Sequence, residues 1–203
     1  EYQIRRWLFW TWVSGDFIVE MHVHNIDIMN WIMGAHPESV MALGGRQVRT
    51  KPEFGNVFDH FTAEYVYPND VRVEYMGTQI DKYTYRNDQR VQGSKGTAYI
   101  DFGNCKIKGA NPWEFEGSYP SPAVQEYAEM IDSIRNSKAI NDGRQVAEST
   151  MTAIMGRMSA YSGRELTWNW AMNGSKLDLS SDELEFGPAP GLPVAMPGVT
   201  QLI

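Results

Sequence analysis

The stretch SGDFIVEMHVHNIDIMNWIMG, residues 14–34, decides the fold because it carries the signals for both ends of one apolar helix. Ser14 and Asp16 supply N-cap chemistry, and Gly34 stands where a helix commonly ends in a left-handed residue. Apolar side chains occupy nearly every face of the segment. This pattern predicts a buried helix over residues 17–33.

The polar side chains on this helix are the first place to look for chemistry, because buried charges are costly unless they are paired. One stripe along a regular helix, at the spacing 4, 3, 4, holds Glu20, His24, Asp27 and Trp31. A carboxylate beside an imidazole orients the ring and fixes its tautomer, which suits a histidine acting as general base toward a hydroxyl. A buried ion pair that only holds the helix in place is the alternative.

The segment after this helix has the alternating pattern of strands. Residues 68–70, Pro-Asn-Asp, supply a hairpin turn between an alternating run at 57–67 and its return at 71–75. Residues 93–96, Gly-Ser-Lys-Gly, supply a second turn. Short hairpins of this kind predict a predominantly antiparallel or mixed sheet.

Two further helices follow the strands. Pro122 stands at the first position of one, and Asp142 with Gln145 three residues later has the capping-box pattern that opens the second. The order of elements predicts an α+β fold with helices packed on one face of the sheet. We expect one domain over residues 1–186 and an extended Pro- and Gly-rich tail over residues 187–203.

The composition bounds the class of protein. The chain has 203 residues, of which 42% are hydrophobic and 21% charged, as is ordinary for globular proteins. A formal net charge of −7 and the lack of a basic run argue against a nucleic-acid partner. No apolar run reaches the roughly 18 residues of a membrane span, so no membrane partner is expected. Cys105, the single cysteine, cannot form an internal disulfide.

The helix stretch is similar to the signature helix of the Gfo/Idh/MocA family, named for glucose-fructose oxidoreductase and inositol dehydrogenase. That signature has a Gly-rich start, an acidic residue, a histidine four residues later and an aspartate three after that. Glu20 falls on the acidic position, His24 on the catalytic histidine and Asp27 on the following aspartate. Residues 44–47 (GGRQ) and 146–150 (VAEST) also resemble the bacterial branch of the family.

Two departures limit what the resemblance implies. Glu20 stands where the family usually has Asp, and His22 where many members have Gly, so the substrate cannot be copied from relatives. The family's Gly-rich dinucleotide fingerprint and Glu-Lys-Pro motif do not occur in this sequence, and residues 93–96 suit a hairpin rather than a phosphate loop. The resemblance therefore implies a C-terminal substrate domain with a dihydrodipicolinate-reductase-like fold, without the N-terminal Rossmann domain.

By resemblance, the chain is the catalytic half of an oxidoreductase acting on a hydroxyl of a sugar, polyol or glycoside. His24 would take the hydroxyl proton and Glu20 would orient His24, while NAD or NADP would be bound mainly by the absent domain. The residues expected to bind substrate are His22, Asn25, Asp27, Arg5, Trp10 and Gln79. We also expect the isolated chain to be inactive. The protein is expected to form a dimer or tetramer through the sheet face, and to be either cytoplasmic or exported in folded form to the periplasm.

Three alternatives stay open. Glu20, His22 and His24 would share one face of a strand and could bind a metal with His60, although on a helix Glu20 and His22 diverge by about 200°. The chain could be a non-enzymatic domain that only binds a sugar or dimerises. It could also belong to an NAD-dependent glycoside hydrolase or lyase, which oxidises, eliminates and re-reduces without net redox change.

Overall fold

The computed structural model describes residues 1–101, 103–118, 121–180 and 193–203. The helices are α1 (Tyr2–Arg5), α2 (Thr11–Ser14), α3 (Phe17–Glu20), α4 (Val23–Met33), α5 (Pro122–Arg135), α6 (Gly143–Ser162) and α7 (Trp168–Asn173). The strands are β1 (Ser39–Gly45), β2 (His60–Tyr67), β3 (Val71–Thr78), β4 (Asp88–Gly93), β5 (Gly96–Asp101), β6 (Asn104–Gly109), β7 (Trp113–Glu114) and β8 (Leu166–Thr167). Short 3₁₀ turns lie at Trp7–Phe9, Pro52–Phe54 and Pro68–Asp70.

The described chain divides into two compact units, where the sequence led us to expect one domain. The first unit combines Glu1–Tyr83 with Gly143–Ile203, and the second is Thr84–Asp142. The first holds a sheet of order β3-β2-β1-β8, and the second holds a sheet of order β4-β5-β6-β7. All the pairs are antiparallel, which confirms the α+β class. Strand β8, which follows α6 in the chain, pairs with β1 at one edge of the first sheet.

The first sheet buries one face, as its alternation predicts. In β2 the buried positions are Phe61, Ala63, Tyr65 and Tyr67, each two residues from the next. The turn at Pro68–Asp70 joins β2 to β3 and sets a register in which Ala63 lies opposite Tyr75. Helix α6 packs on the buried face together with Ile18 of α3 and Ile26 of α4. The core of the first unit therefore lies between this sheet and the helices.

Small residues allow α6 to approach the sheet closely. A Cβ atom added at Gly156 would lie 2.2 Å from the hydroxyl oxygen of Tyr65, so a side chain there would force the helix away. Ser159, also buried on α6, accepts a hydrogen bond at 2.8 Å from the backbone N–H of Ala42 in β1. The helix thus contacts strand backbone as well as side chains.

Replacing Tyr65 with phenylalanine is expected to raise the free energy of unfolding by about 1 kcal/mol, because the buried hydroxyl has no hydrogen-bond partner among the described residues. The matched control is Tyr67→Phe. The Tyr67 hydroxyl donates to Asn30 Oδ1 at 2.6 Å, so its removal is expected to cost about 1–2 kcal/mol. Urea unfolding of both variants measures the difference; a destabilised Tyr65→Phe would contradict the prediction.

The remaining surfaces of each unit are more exposed. On the outer face of the first sheet, Met41, Leu43 and Met76 are 39%, 57% and 80% exposed. In the second unit, α5 begins at Pro122 as predicted, and none of its residues is buried. Within the described ranges, no helix is both long and apolar enough to cross a bilayer.

The predicted tail is described only in part, since residues 187–192 lie outside the described residues. Of the remainder, Ala195 and Leu202 pack against the core of the first unit. The N–H of Gly198 donates to the carbonyl of Ser162 at 2.9 Å, and the chain turns here instead of continuing extended. The end of the tail is therefore held against the last turn of α6.

Candidate functional site

The predicted helix is interrupted at Met21 and His22, so the prediction of one continuous buried helix is wrong. The N–H of His22 donates at 3.0 Å to the carbonyl of Phe17, five residues back instead of four, and α4 then begins with His22 as its N-cap. An extra residue in a helical turn is a π-type bulge, a feature frequent at functional sites. Beyond it, α4 buries only Ile26 and Asn30.

The bulge divides the predicted stripe. Glu20 ends α3, whereas His24 lies on α4 and is exposed. Asp27, which we expected to bind substrate, accepts a hydrogen bond at 2.6 Å from the hydroxyl of Ser149 on α6. Trp31 is 72% exposed. Of the four residues, Glu20 and His24 remain an electrostatic pair, and Asp27 instead attaches α4 to α6.

The start of α3 is fixed by Asp16, which is completely buried. Its Oδ1 accepts from the N–H of Phe17 at 2.6 Å, and its Oδ2 accepts from the N–H of Phe58 at 2.8 Å and the hydroxyl of Tyr161 at 2.6 Å. Burial raises the pKa of this carboxyl to about 6, against the opposing effect of these donors. One carboxylate thus joins α3, α6 and the segment before β2, and it positions Glu20 one turn further on.

A cavity of about 160 Å³ lies beside α3. Its lining residues are Leu8, Phe9, Phe17, Glu20, Arg49, Val57, Phe58 and Gln79. Most of the wall is apolar, and the polar atoms converge from the three side chains of Glu20, Arg49 and Gln79. Complete small-molecule sites occupy about 300–1,000 Å³, so this cavity holds only part of a ligand.

Glu20 is the acidic group of the cavity wall. Burial raises the pKa of its carboxyl, and the nearby His24 partly opposes that rise. The effect of His24 means that the carboxylate and the imidazole interact across the bulge, even though they lie on different helices.

His22 is the more buried of the two histidines at the bulge, and its burial lowers its pKa to about 4. Its Nδ1 lies 2.6 Å from the hydroxyl of Tyr75, and its ring meets the edge of Phe17 at 5.0 Å between centroids. A Cβ atom at Gly77 would lie 2.6 Å from that Nδ1, so glycine is needed there. His22 is thus a neutral, tightly packed side chain behind the cavity wall.

Asp59 organises the loop that follows β1. Its Oδ2 accepts from the backbone N–H groups of Gln47, Val48 and Arg49 at 2.9, 2.6 and 2.9 Å, and its Oδ1 lies 2.7 Å from His60 Nδ1. Burial acts to raise the pKa of Asp59, but these hydrogen bonds prevail and hold it below its ordinary value. The loop backbone is therefore fixed before any ligand arrives.

Arg49 lies in this loop and lines the cavity, and it was not among the site residues predicted from the sequence. Its Nη1 donates to Gln79 at 3.3 Å, and its Nη2 lies 3.5 Å from Asp81. The guanidinium carbon lies 5.8 Å from the ring centroid of Phe9 and 5.7 Å from that of Phe54. Its Nε is buried without a hydrogen-bond partner among the described residues.

The other predicted residues are dispersed. Gln79 lines the cavity as expected, and Asn25 is half-buried on α4. Arg5 is 78% exposed and pairs with Glu1 at 2.9 Å, outside the cavity wall. Trp10 is half-buried, and its indole N–H has no partner among the described residues. Two neighbouring residues near the start of the chain, Leu8 and Phe9, also line the cavity.

The metal-binding alternative depends on a cluster of ligands. The part of the chain that the structure describes contains no group of three His, Cys, Asp or Glu side chains placed to hold a metal ion. Of the four proposed ligands, His22 adjoins Tyr75 and His60 adjoins Asp59.

Helices packed on antiparallel sheets form an α+β fold, and solved oxidoreductase structures share this fold. Residues 3–99 match the sequence model of the family described as GFO/IDH/MocA C-terminal domain. The match covers just under half of the chain and confirms, over these residues, the resemblance to the GFO/IDH/MocA family seen in its first helices.

Solved structures share the fold at low sequence identity. The chain is similar to the UDP-N-acetylglucosamine 3-dehydrogenase GnnA from Acidithiobacillus ferrooxidans, with 18% identity, a TM-score of 0.61, and coverage of 71% of this chain and 46% of that one. It is similar to an aldose-aldose oxidoreductase from Caulobacter crescentus complexed with glycerol, with 19% identity, a TM-score of 0.59, and coverage of 71% and 45%. It is also similar to a biliverdin reductase from Synechocystis in complex with biliverdin and NADP+, with 16% identity, a TM-score of 0.56, and coverage of 76% of this chain and 49% of that one.

The chain therefore spans less than half the length of each of these three proteins. No curated protein sequence matches it. At these identities the likeness to solved structures establishes the fold, and the family assignment comes from the sequence match over residues 3–99.

Proposed function

We propose that this chain is the substrate-binding and catalytic half of an NAD(P)-dependent oxidoreductase that acts on a hydroxyl group of a sugar, polyol or glycoside. The observation that carries the proposal is the Glu20–His24 pair, with Glu20 in the wall of a cavity that also presents Arg49 and Gln79. Two of the structural relatives, a sugar-nucleotide dehydrogenase and an aldose oxidoreductase, support a carbohydrate substrate.

In this proposal His24 is the general base that takes the proton of the substrate hydroxyl. Its exposure leaves the imidazole accessible, and the neighbouring carboxylate of Glu20 orients the ring. Gln79 offers an amide to a second hydroxyl, while Phe9 and Phe58 pack against apolar ring C–H groups. When bound, a nicotinamide cofactor would accept the hydride from the carbon that carries the reacting hydroxyl group.

The cofactor is proposed to bind mainly to another domain. Residues 93–96 form the tight turn between β4 and β5, not a loop that opens a helix, and the sequence has no dinucleotide fingerprint. The small cavity agrees with a site whose remaining walls come from elsewhere. We therefore expect the chain alone to catalyse nothing, with either NAD or NADP serving the full-length protein.

A second copy of the chain is our proposed occupant for the outer face of the first sheet. Met41, Leu43 and Met76 present exposed apolar surface there, and symmetric dimers are the commonest soluble assemblies.

The full-length protein is expected to reduce NAD+ or NADP+ when supplied with a sugar or polyol. Alcohol oxidation is complete when His24 takes the proton of the hydroxyl group and the carbon that carries this hydroxyl loses a hydride to the cofactor. Absorbance of the reduced nicotinamide measures the reaction across a panel of aldoses, polyols and glycosides. The 203-residue chain on its own is the matched control and is expected to give no signal.

Other outcomes distinguish the alternatives. Cleavage of a glycoside without accumulation of reduced cofactor would replace net oxidation by the redox-neutral glycosidase reaction. Sugar binding in calorimetry with neither cleavage nor cofactor reduction would identify a non-enzymatic binding domain, and the proposed catalytic role would then be wrong.

A further inference from the structure

We infer that the cavity selects ligands that carry a carboxylate, with Arg49 as the group that recognises it, so that sugar acids such as uronates are the substrate class. This inference rests on the proposed function, since it places the acid group of the substrate in the same cavity as Glu20 and Gln79.

The first reason is that the Arg49 guanidinium is short of partners. Its Nε has none among the described residues, and its contacts to Gln79 and Asp81 are long, at 3.3 and 3.5 Å. The side chain of Asp81 is 84% exposed, and exposed ion pairs contribute little. The arginine side chain itself is only 17% exposed, so it is a largely desolvated cation with donors to spare.

The second reason is that the guanidinium is already held in place. The backbone N–H of Arg49 is bound to the buried Asp59, and the guanidinium lies against the rings of Phe9 and Phe54. Because the guanidinium is already fixed, the arginine side chain loses little conformational entropy when a ligand binds, and this favours a strong and specific contact.

Arg46 shows what a structural arginine looks like in the same loop. Its guanidinium nitrogens donate to the backbone carbonyls of Arg49, Gly55 and Lys51, the last at 2.7 Å, so its donors are used within the loop. Arg49 has no such set of carbonyl acceptors and instead lines the cavity. Arg46 therefore stabilises the loop, and the guanidinium of Arg49 keeps donors that a ligand can use.

The charges in the cavity wall favour a carboxylate over a phosphate. Arg49 is the cation of the lining, and Glu20, the acid of the lining, interacts with His24. One guanidinium balances a monoanion in bidentate geometry, whereas a phosphate dianion beside Glu20 would remain under-compensated. The apolar remainder of the wall suits the C–H face of a sugar ring.

The test compares D-glucuronate with D-glucose, which carries a hydroxymethyl group in place of the carboxylate, in the full-length protein with cofactor. We expect kcat/KM for glucuronate to exceed that for glucose by about 10–100-fold, the scale of charge-assisted hydrogen bonds. Arg49→Gln is expected to erase this preference, because KM for glucuronate should rise about 10–100-fold more than KM for glucose. Arg49→Lys, which keeps the charge but loses the bidentate fork, is expected to retain part of it.

Arg72→Gln is the matched control. Arg72 is an exposed arginine on β3 that pairs with Glu64 and Asp70, and it does not line the cavity. Its substrate preference should equal that of the wild type. A circular dichroism spectrum and a urea unfolding curve like those of the wild type show that an Arg49 variant is folded. If Arg49→Gln does not fold, Arg49→Lys reports the substrate preference.

Equal kcat/KM for glucose and glucuronate would overturn the inference and leave the proposed oxidoreductase intact. Tighter binding of glucose 6-phosphate than of glucuronate would overturn the choice of carboxylate. If neither sugar is oxidised, yet calorimetry shows glucuronate binding that Arg49→Gln abolishes, then the carboxylate site is correct and the proposed catalytic function is wrong.

Discussion

Replacing His24 with asparagine in the full-length protein is expected to lower kcat by at least about 100-fold, the contribution of a well-placed general base. Asparagine keeps a polar side chain on α4 but cannot accept a proton. Because a general base must be unprotonated to act, the rise of kcat with pH on the acidic side should also disappear in the variant. Steady-state rates measured across the pH range test both effects.

The matched control for this prediction is His36→Asn. His36 stacks on Trp168 at 3.8 Å between ring centroids and takes no part in the proposed reaction, so its replacement should leave kcat within a few-fold of wild type. Glu20→Gln tests the positioning role of the carboxylate, and a shifted pH profile with a smaller loss of kcat is expected. Full activity of His24→Asn with an unchanged pH profile would mean that the imidazole takes no part in the reaction.

Replacing Asp16 with alanine is expected to lower the free energy of unfolding by about 3–5 kcal/mol. The change leaves three buried donors, on Phe17, Phe58 and Tyr161, without their acceptor. It also places alanine at a φ of 74°, which favours glycine or a short polar side chain. Asp16→Asn keeps the shape and one acceptor, so its loss should be smaller, about 1–3 kcal/mol.

The ionisation of Asp16 gives this prediction a pH dependence. Its pKa in the folded state is about 6, above the ordinary value of 3.8, so between these values the folded state binds more protons than the unfolded state. Stability from this group is therefore present at low pH and lost as pH rises from about 4 to 6, by up to about 3 kcal/mol. Urea unfolding of Asp16→Asn should show no such loss of stability between about pH 4 and 6. If the variant keeps the loss, the pH dependence does not come from Asp16.

Much of the first unit could be predicted because its strands keep a strict alternation. The buried face of β2 follows from Phe61, Ala63, Tyr65 and Tyr67, and the turn at Pro68–Asp70 follows from its composition. The family could be recognised because the spacing of Glu20 and His24 is a local property of the chain, which survives the bulge between the two helices.

The bulge itself could not be predicted, since residues 17–33 carry a continuous apolar pattern with both helix ends in place. What interrupts the helix is tertiary: His22 turns toward Tyr75 on β3, at a point where Gly77 leaves room for the ring. The buried side of α6 could not be found from apolar residues alone. It consists largely of small and hydroxyl residues such as Ser159, whereas the apolar residue Val146 is 59% exposed.

Arg49 was missed for a related reason. The sequence places it in a run that resembles a continuing strand, but β1 ends at Gly45 and the chain then bends around the carboxylate of Asp59. That carboxylate lies fourteen residues after Gly45 in the chain, so no local pattern connects the two. Residues brought together by a single buried acceptor are visible only once the fold is known.

The loop around Asp59 also bears on how this protein can acquire new specificities. Its shape is encoded by backbone N–H groups, which every residue except proline possesses, while the side chains of Gln47 and Val48 are exposed. Positions 47–49 can therefore exchange amino acids with little effect on the architecture that supports them. The same scaffold is suited to diversification of its ligands at these positions, with Asp59 as the residue that must stay constant.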